Sequence, residues 1–167
     1  MERRLVRVTF RRRREHKTDY NARIMLLKSH KNRMVVRKTN KYIIAQIVKS
    51  EEAADFTVVS ANSKELKKFG WSYSLKNLPA AYLTGFLMAK KAEGREKEVI
   101  LDVGLQRSTK GSKIYAAVKG AIDGDLKVKC SEEMFPSEER IKGSHLKIEN
   151  INKKIEEIKE RIAKSQG

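Results

Sequence analysis

The chain has 167 residues and a formal net charge of +17, because 38 lysines and arginines outnumber 21 acidic residues. Its length and its 40% hydrophobic content predict one folded domain and exclude a wholly disordered chain. The positive excess indicates a polyanionic partner, most often nucleic acid. No membrane association is expected, because the longest nearly apolar stretch, residues 79–89, is shorter than the ~20 residues of a membrane-spanning helix.

The thiol and imidazole groups form no metal-binding pattern in the sequence. Cys130 is the only cysteine, which excludes an internal disulfide and a zinc site built from several thiolates. The histidines are scattered without the spacing of metal ligands. We therefore expect neither a metal nor another cofactor.

The positive charge is concentrated in the first quarter of the chain. Residues 1–41 carry 15 basic and 3 acidic side chains, residues 42–130 carry 15 and 10, and residues 131–167 carry 8 of each. The four consecutive arginines at 11–14 cannot fold on themselves, because adjacent like charges need counter-ions. A solvated tail or an import signal would also contain such a tract, but here the basic residues continue into the predicted domain.

This distribution divides the chain into three parts. We predict a basic RNA-binding arm over residues 1–32, an α/β domain over residues 33–130 and a C-terminal extension with an amphipathic helix over residues 131–167.

The first predicted elements of the domain are strands. Residues 34–36 form a β-rich run, residues 39–41 make a tight turn, and residues 42–48 form a second strand. A third strand follows at residues 56–61. The short connections between these three strands predict an antiparallel meander.

Helices and one further strand complete the predicted domain. Ser63 is expected to cap a short helix that ends before Gly70, and a longer helix begins near Pro79. The nearly continuous apolar run 99–103 predicts a strand buried on both faces, in a central and parallel position. A second amphipathic helix ends near Asp123. The fold class is therefore α/β, a small mixed sheet packed with helices.

The C-terminal extension contains a stripe of isoleucines on a segment rich in lysine and glutamate. The spacing of three and four residues predicts one apolar face of a helix. That face docks either on the chain's own domain or on a neighbouring protein of an assembly, and the sequence leaves both open. The residues of this stripe are Ile148, Ile151, Ile155, Ile158 and Ile162.

The sequence contains no catalytic motif. The loop at residues 104–112 has six residues between its glycines and no lysine after the second, so it does not have the spacing of a P-loop. A nuclease of ribonuclease H-like architecture needs several carboxylates to hold two metal ions. Asp102 lies on a suitable strand, but the sequence offers it no clear partners. We expect no catalysis and no small-molecule substrate.

The same loop has the composition of an RNA-binding segment, although an ordinary polar loop has it too. Its basic side chains surround short hydroxyl groups, and its glycines permit close approach of the backbone. The groups are Arg107, Lys110 and Lys113 around Ser108, Thr109 and Ser112. Tyr20, Tyr42 and Trp71 are aromatic residues of the kind that stacks on unpaired bases, although each of them alone is more often a residue of the core or its rim.

Five segments of the sequence together resemble a known protein family. The segments that carry the resemblance are FRRRREHKTDYNARIMLLKSHKNRMVVRKTNKYIIAQIV, TVVSANSKELKKFGW, NLPAAYLTG, EVILDVGLQRSTKGSKIYAAVKGAIDGDL and FPSEERIKGSH. They are similar, in order and spacing over roughly residues 3–145, to the large-subunit ribosomal proteins that bind 5S rRNA. The match is to the archaeal and eukaryotic type of the universal family called protein eighteen of the large subunit. This family has a small mixed α/β domain and a long basic N-terminal arm.

The resemblance implies RNA contacts at matching positions in three segments. The arm residues would lie along 5S rRNA and nearby large-subunit rRNA: Arg11, Arg12, Arg13, Arg14, Lys17, Thr18, Tyr20 and Arg23. The hairpin residues are Arg33, Arg37, Lys38, Asn40 and Lys41, and the loop residues are Gln106, Arg107, Ser108, Thr109, Lys110, Gly111 and Ser112. The charge pattern adds three predicted RNA contacts, Lys28, Lys31 and Lys113. Tyr42 is a further predicted contact because of its place in the hairpin, at a position where the family is expected to have histidine.

The resemblance also implies a function. It predicts a non-catalytic constituent of the large subunit of cytoplasmic ribosomes, which attaches 5S rRNA to large-subunit rRNA at the central protuberance beside neighbouring ribosomal proteins. The tail after about residue 146 is not shared as a motif. Two alternatives stand beside this prediction: a metal-dependent RNA-processing enzyme on a ribonuclease H-like scaffold, and a free RNA chaperone or assembly factor.

Overall fold

A five-stranded mixed sheet with helices packed on one face organises the chain. The computed structural model describes residues 8–51, 54–94, 98–146, 148 and 150–166. The strands are β1 (Arg33–Lys38), β2 (Ile43–Glu51), β3 (Ala54–Asn62), β4 (Glu98–Asp102) and β5 (Lys127–Val128). The α-helices are α1 (Arg11–Arg14), α2 (Tyr20–Leu27), α3 (Leu78–Ala92), α4 (Lys113–Asp123), α5 (Glu138–Ile141) and α6 (Ile151–Gln166). Three 3-10 helices lie at Ser63–Phe69, Glu132–Met134 and Ser144–Leu146.

The sheet has the order β3-β2-β1-β4-β5. β1, β2 and β3 form the predicted antiparallel meander, and β4 runs parallel to β1 as predicted. β1 occupies the centre, whereas β4 lies between β1 and β5, to which it is also parallel. β5 was not predicted, because two residues are too short to show an alternating pattern.

Several predicted boundaries differ from the observed ones; β4, for example, begins and ends one residue earlier than predicted. β2 begins at Ile43, so Tyr42 lies just before it. Asn62, not Ser63, caps the first 3-10 helix: its side chain accepts from the Lys64 amide, and the Glu65 carboxylate accepts from the Asn62 amide. The Ser63 hydroxyl instead accepts from the Ile43 amide at 3.1 Å, a bond that joins this helix to β2.

The core lies between the sheet and the helix pair α3 and α4. Met34, Val36 and Ile47 alternate along their strands and are fully buried toward the helices. The two helices cross so closely that a Cβ on Gly85 would lie 1.9 Å from the Ala117 carbonyl oxygen. Within the described residues, no helix is both long and apolar enough to cross a membrane.

The isoleucine stripe of α6 packs on the chain's own domain. Ile151 and Ile155 are 3% and 4% exposed, and Ile158 and Ile162 are fully buried in the same core. The helix lies against α3 and the first 3-10 helix. Ile148, which precedes the helix, is partly buried against that core. Of the two sequence alternatives, docking on the own domain is therefore the one observed, and this face is not open to a neighbouring protein.

Candidate nucleic-acid interface

The N-terminal arm presents an exposed cluster of cations. All four arginines of α1 are exposed, and the helix buries no side chain. Glu15 pairs with Arg11 at 3.7 Å and with Lys17 at 2.9 Å. Arg13 and Arg14 have no carboxylate partner among the described residues. The arm therefore offers more positive charge than its own acidic residues neutralise.

The arm folds back through α2 onto the open face of the sheet. Asp19 begins α2 by accepting from the amides of Asn21 and Ala22. Although α2 buries no residue, Arg23 reaches Asp55 on β3, with 2.8 Å between Nη2 and Oδ2. Tyr20 is partly buried against the Phe10 ring, 5.0 Å between centroids, so its ring is engaged within the arm.

A groove of about 860 Å³ separates the arm from the sheet. Its walls include Arg12, Lys17 and Thr18 from the arm, Arg37 from β1, and Gln106 from the loop after β4. Three segments that are far apart in the sequence therefore line one concave surface. Lys28 and Lys31 lie elsewhere: Lys28 is exposed at the end of α2, and Lys31 pairs with Glu98 where β4 begins.

A network of charges lies at the floor of this groove and is largely buried. The Arg33 guanidinium is 3% exposed and donates to Asp102 at 2.9 Å and to Asp55 at 2.8 Å. Arg37 donates to the other oxygen of Asp102 at 2.8 Å. Because its guanidinium is buried and paired with two carboxylates, Arg33 has almost no surface to offer to RNA, which corrects the expectation at that position.

The network also sets the protonation of its carboxyl groups. Burial raises the pKa of Asp102, but hydrogen bonds and charges from Arg37, the Gly104 amide and Arg33 outweigh it, so this pKa lies below its ordinary value. The pKa of Asp55 is likewise lowered, because its bonds to Ser50 and Arg33 outweigh the effect of burial. Both groups are therefore ionised partners of arginine. No three acidic, histidine or cysteine side chains are grouped as metal ligands in the described part of the chain.

The hairpin between β1 and β2 carries the next group of predicted contacts. The Thr39 hydroxyl accepts from the Tyr42 amide and donates to the Tyr42 carbonyl, both at 2.9 Å, which closes the turn. Lys38, Asn40 and Lys41 are exposed around it, and Tyr42 is half-buried. The turn therefore projects two ammonium groups and one amide into solvent.

A second cationic cluster joins this hairpin to the start of α4. The pKa of Lys113 is lowered, first by partial burial and then by the charges of Lys38 and Lys76. An anion bound here would offset the repulsion that Lys113 experiences from its two lysine neighbours, so this cluster suits a phosphate group. Lys76 was not predicted; it lies 38 residues from Lys38 in the sequence, and no local pattern indicates their proximity.

The loop between β4 and α4 is anchored to the hairpin. The Gln106 side-chain amide donates to the Lys38 carbonyl at 3.4 Å. Ser108 shares a hydrogen bond with Tyr115, and Lys110 pairs with Glu133 at 2.8 Å. Arg107 and Thr109 are exposed, and Gly111 adopts a left-handed φ of +66°. The Ser112 hydroxyl and the side-chain amide oxygen of Gln106 are buried without a hydrogen-bond partner.

One of the three aromatic residues named above is buried. Trp71 is 2% exposed and donates its indole N–H to the Ser74 carbonyl at 3.2 Å. Of the two roles expected for Trp71, the core role is therefore the one observed, while RNA contact by Tyr20 and Tyr42 stays a prediction.

Comparison with known proteins identifies related chains. The model of the family described as "Ribosomal large subunit proteins 60S L5, and 50S L18" matches residues 4–98 and 90–131. The chain is 52% identical over 152 residues to the large ribosomal subunit protein uL18 of Korarchaeum cryptofilum, covering 90% of this chain and 77% of that protein. It is 47% identical over 163 residues to uL18 of Methanoregula boonei, covering 94% of each. With uL18 of Caldivirga maquilingensis the identity is 44% over 185 residues, with 93% and 89% covered.

Proposed function

Because the chain belongs to the family of large-subunit ribosomal proteins that includes uL18, we propose that it binds 5S rRNA and attaches it to large-subunit rRNA at the central protuberance. Its class is a structural, non-enzymatic constituent of the large ribosomal subunit. The carboxylate that an enzyme on this scaffold would need, Asp102, is held by two arginines, an arrangement that suits support of the fold.

One observation carries the proposal: the arm, β1 and the loop after β4 line a single groove. Side chains as far apart in the sequence as Arg12 and Gln106 thereby face one another across a space open to solvent. An RNA backbone laid in this groove would meet guanidinium groups from the arm on one side and the side chain of Gln106 on the other.

The mechanism is neutralisation of phosphates followed by recognition of RNA shape. Each phosphate neutralised by a lysine or arginine releases counter-ions, which gives the arm its affinity and makes binding depend on salt. The hairpin and the loop are held by internal hydrogen bonds, so they present their groups in a fixed geometry. A fixed geometry selects RNA by shape, because double-stranded RNA exposes phosphates and 2′-hydroxyls more readily than base edges.

The first experiment measures binding of the purified chain to 5S rRNA and to an unrelated RNA of the same length. We expect tighter binding to 5S rRNA at moderate salt. Equal affinity for both RNAs would refute recognition of 5S rRNA and leave only general attraction to polyanions.

A second experiment replaces the four arginines of α1 by glutamine. None of these side chains is buried, so folding should be unchanged, while the slope of log K against log salt should become shallower by about 3, at ~0.7 per phosphate. A matched control removes four exposed charges outside the interface by glutamine substitution of Lys127, Lys129, Lys153 and Lys164. If both variants lose the same slope, the arm is not a specific contact.

A third experiment separates an assembled constituent from a free chaperone or assembly factor. Large subunits are sedimented through high salt, and the chain is followed in the fractions. Stable co-sedimentation is expected of a constituent, whereas a free factor would remain at the top of the gradient.

A further inference from the structure

One buried acidic residue has no part in the phosphate contacts described above, yet it touches the loop that makes some of them. Asp102 is the last residue of β4 and is 6% exposed. Each carboxylate oxygen is engaged: Oδ2 accepts from Arg33, and Oδ1 accepts from Arg37 and from the Gly104 amide, both at 2.8 Å. A single side chain therefore joins β1 to the first residues of the loop at 104–112.

Arg37 extends this connection through the main chain. Its Nη1 donates to the Asp102 carbonyl at 2.7 Å and to the Val36 carbonyl at 3.0 Å, while its Nη2 binds the Asp102 side chain. The guanidinium thus spans the gap between the ends of two neighbouring parallel strands. Arg37 therefore holds the two strand ends together through three internal hydrogen-bond acceptors, and we call this Asp102–Arg37 connection the brace. From the sequence alone, Arg37 would be predicted to bind a phosphate group.

Gly104 packs directly against this brace. Its φ of +60° is one that residues with a side chain rarely adopt, and a Cβ there would lie 2.8 Å from the Arg37 guanidinium carbon. The chain leaves β4 in this conformation because the Gly104 amide must reach Asp102. The direction of the loop is therefore set by one carboxylate, one guanidinium and one glycine.

We propose that Asp102 is a positioning residue for RNA binding, which holds the loop at 104–112 in its RNA-competent conformation through Arg37 and Gly104. This inference rests on the proposed function only for the identity of the RNA. A loop without the brace samples several conformations, and the apparent affinity falls by the fraction that remains competent.

The test uses the Asp102→Asn variant of the full chain. The substitution keeps the size of the side chain and adds one unit to the net positive charge, so charge alone predicts tighter RNA binding. Positioning predicts the opposite, a loss of about tenfold if one tenth of the molecules hold the loop correctly. The slope against salt should not change, because no phosphate contact is removed.

Hydrogen exchange at the Gly104 amide reports on the loop in the free protein, without RNA. We expect faster exchange in Asp102→Asn and unchanged exchange in Asp55→Asn. The second variant is a matched control, because Asp55 also pairs with Arg33 but does not contact the loop. If 5S rRNA fails to bind even the unaltered chain, the proposed function falls, while this measurement still decides whether Asp102 orders the loop.

Two further variants keep the proposal falsifiable if Asp102→Asn folds poorly. Gly104→Ala disturbs the brace from the loop side and leaves every buried charge in place, so it should lose affinity to a similar extent. In a double-mutant cycle, Arg37→Gln and Asp102→Asn together should lose no more than either alone. Additive losses would make Arg37 an independent phosphate contact, and RNA binding by Asp102→Asn as tight as that of the unaltered chain would overturn the proposal.

Discussion

Replacing Ile158 by alanine tests whether α6 is an integral part of the domain. Ile158 is fully buried on the apolar side of α6, and the substitution removes three carbon atoms from that site. At about 0.8 kcal/mol for each buried carbon, the loss of apolar transfer energy is about 2.4 kcal/mol. The cavity left behind adds to this, so we expect the free energy of unfolding to fall by about 2–5 kcal/mol.

Urea denaturation followed by circular dichroism measures this change. Ile158→Val should cost less, about 0.5–1.5 kcal/mol, and Lys164→Ala on the exposed side of the same helix should cost within ~0.5 kcal/mol. A loss below 1 kcal/mol for Ile158→Ala would refute the reasoning, because a helix that is free in solution buries nothing that the substitution could remove.

Three more predictions concern packing, pH and RNA binding. In Gly120→Ala the new Cβ would lie 2.0 Å from the Tyr82 carbonyl oxygen, so α3 and α4 must separate, and urea denaturation should show a loss of at least ~1–3 kcal/mol. Because the pKa values of Asp55 and Asp102 are lowered on folding, their stabilisation is complete above the unfolded value of 3.8 and disappears as the pH falls through the lower folded values. Unfolding midpoints measured down to about pH 2 should therefore decrease, and less steeply in Asp102→Asn. RNA should raise the pKa of the Lys113 ammonium group, observed by NMR, since a phosphate offsets its two lysine neighbours; an unchanged value would place the RNA elsewhere.

The sheet and the main helices follow from local patterns that the sequence displays. Residues 34–36 and 42–48 are rich in β-branched side chains, and their short connection leaves an antiparallel hairpin as the simple solution. The apolar run before Asp102 predicted a parallel strand, which β4 is. β5 was missed because a two-residue strand has no periodicity. Its pairing with β4 depends on where α4 ends in space, which the sequence does not show.

The candidate interface was predictable as a set of charges, and only partly as a set of contacts. The exposed arginines of α1 and the lysines of the hairpin remain predictions of RNA contact. Arg33 belongs to the same basic run, and nothing in its neighbourhood distinguishes it from Arg37 or Lys38. Its two carboxylate partners are 22 and 69 residues away, so its burial is a consequence of chain topology.

The sequence by itself determined the net charge, its concentration in the first 41 residues, the elements with strong periodicity and the family. Those properties depend on residue type and on neighbours a few positions away, which the sequence states directly. The tertiary structure alone decided that Arg33 is internal, that the isoleucines of α6 meet the chain's own core, and that Lys76 joins Lys38 and Lys113. Each of these features depends on groups that are distant in the sequence and that folding brings together. Burial and electrostatic energy depend on distances in space, which the sequence does not state.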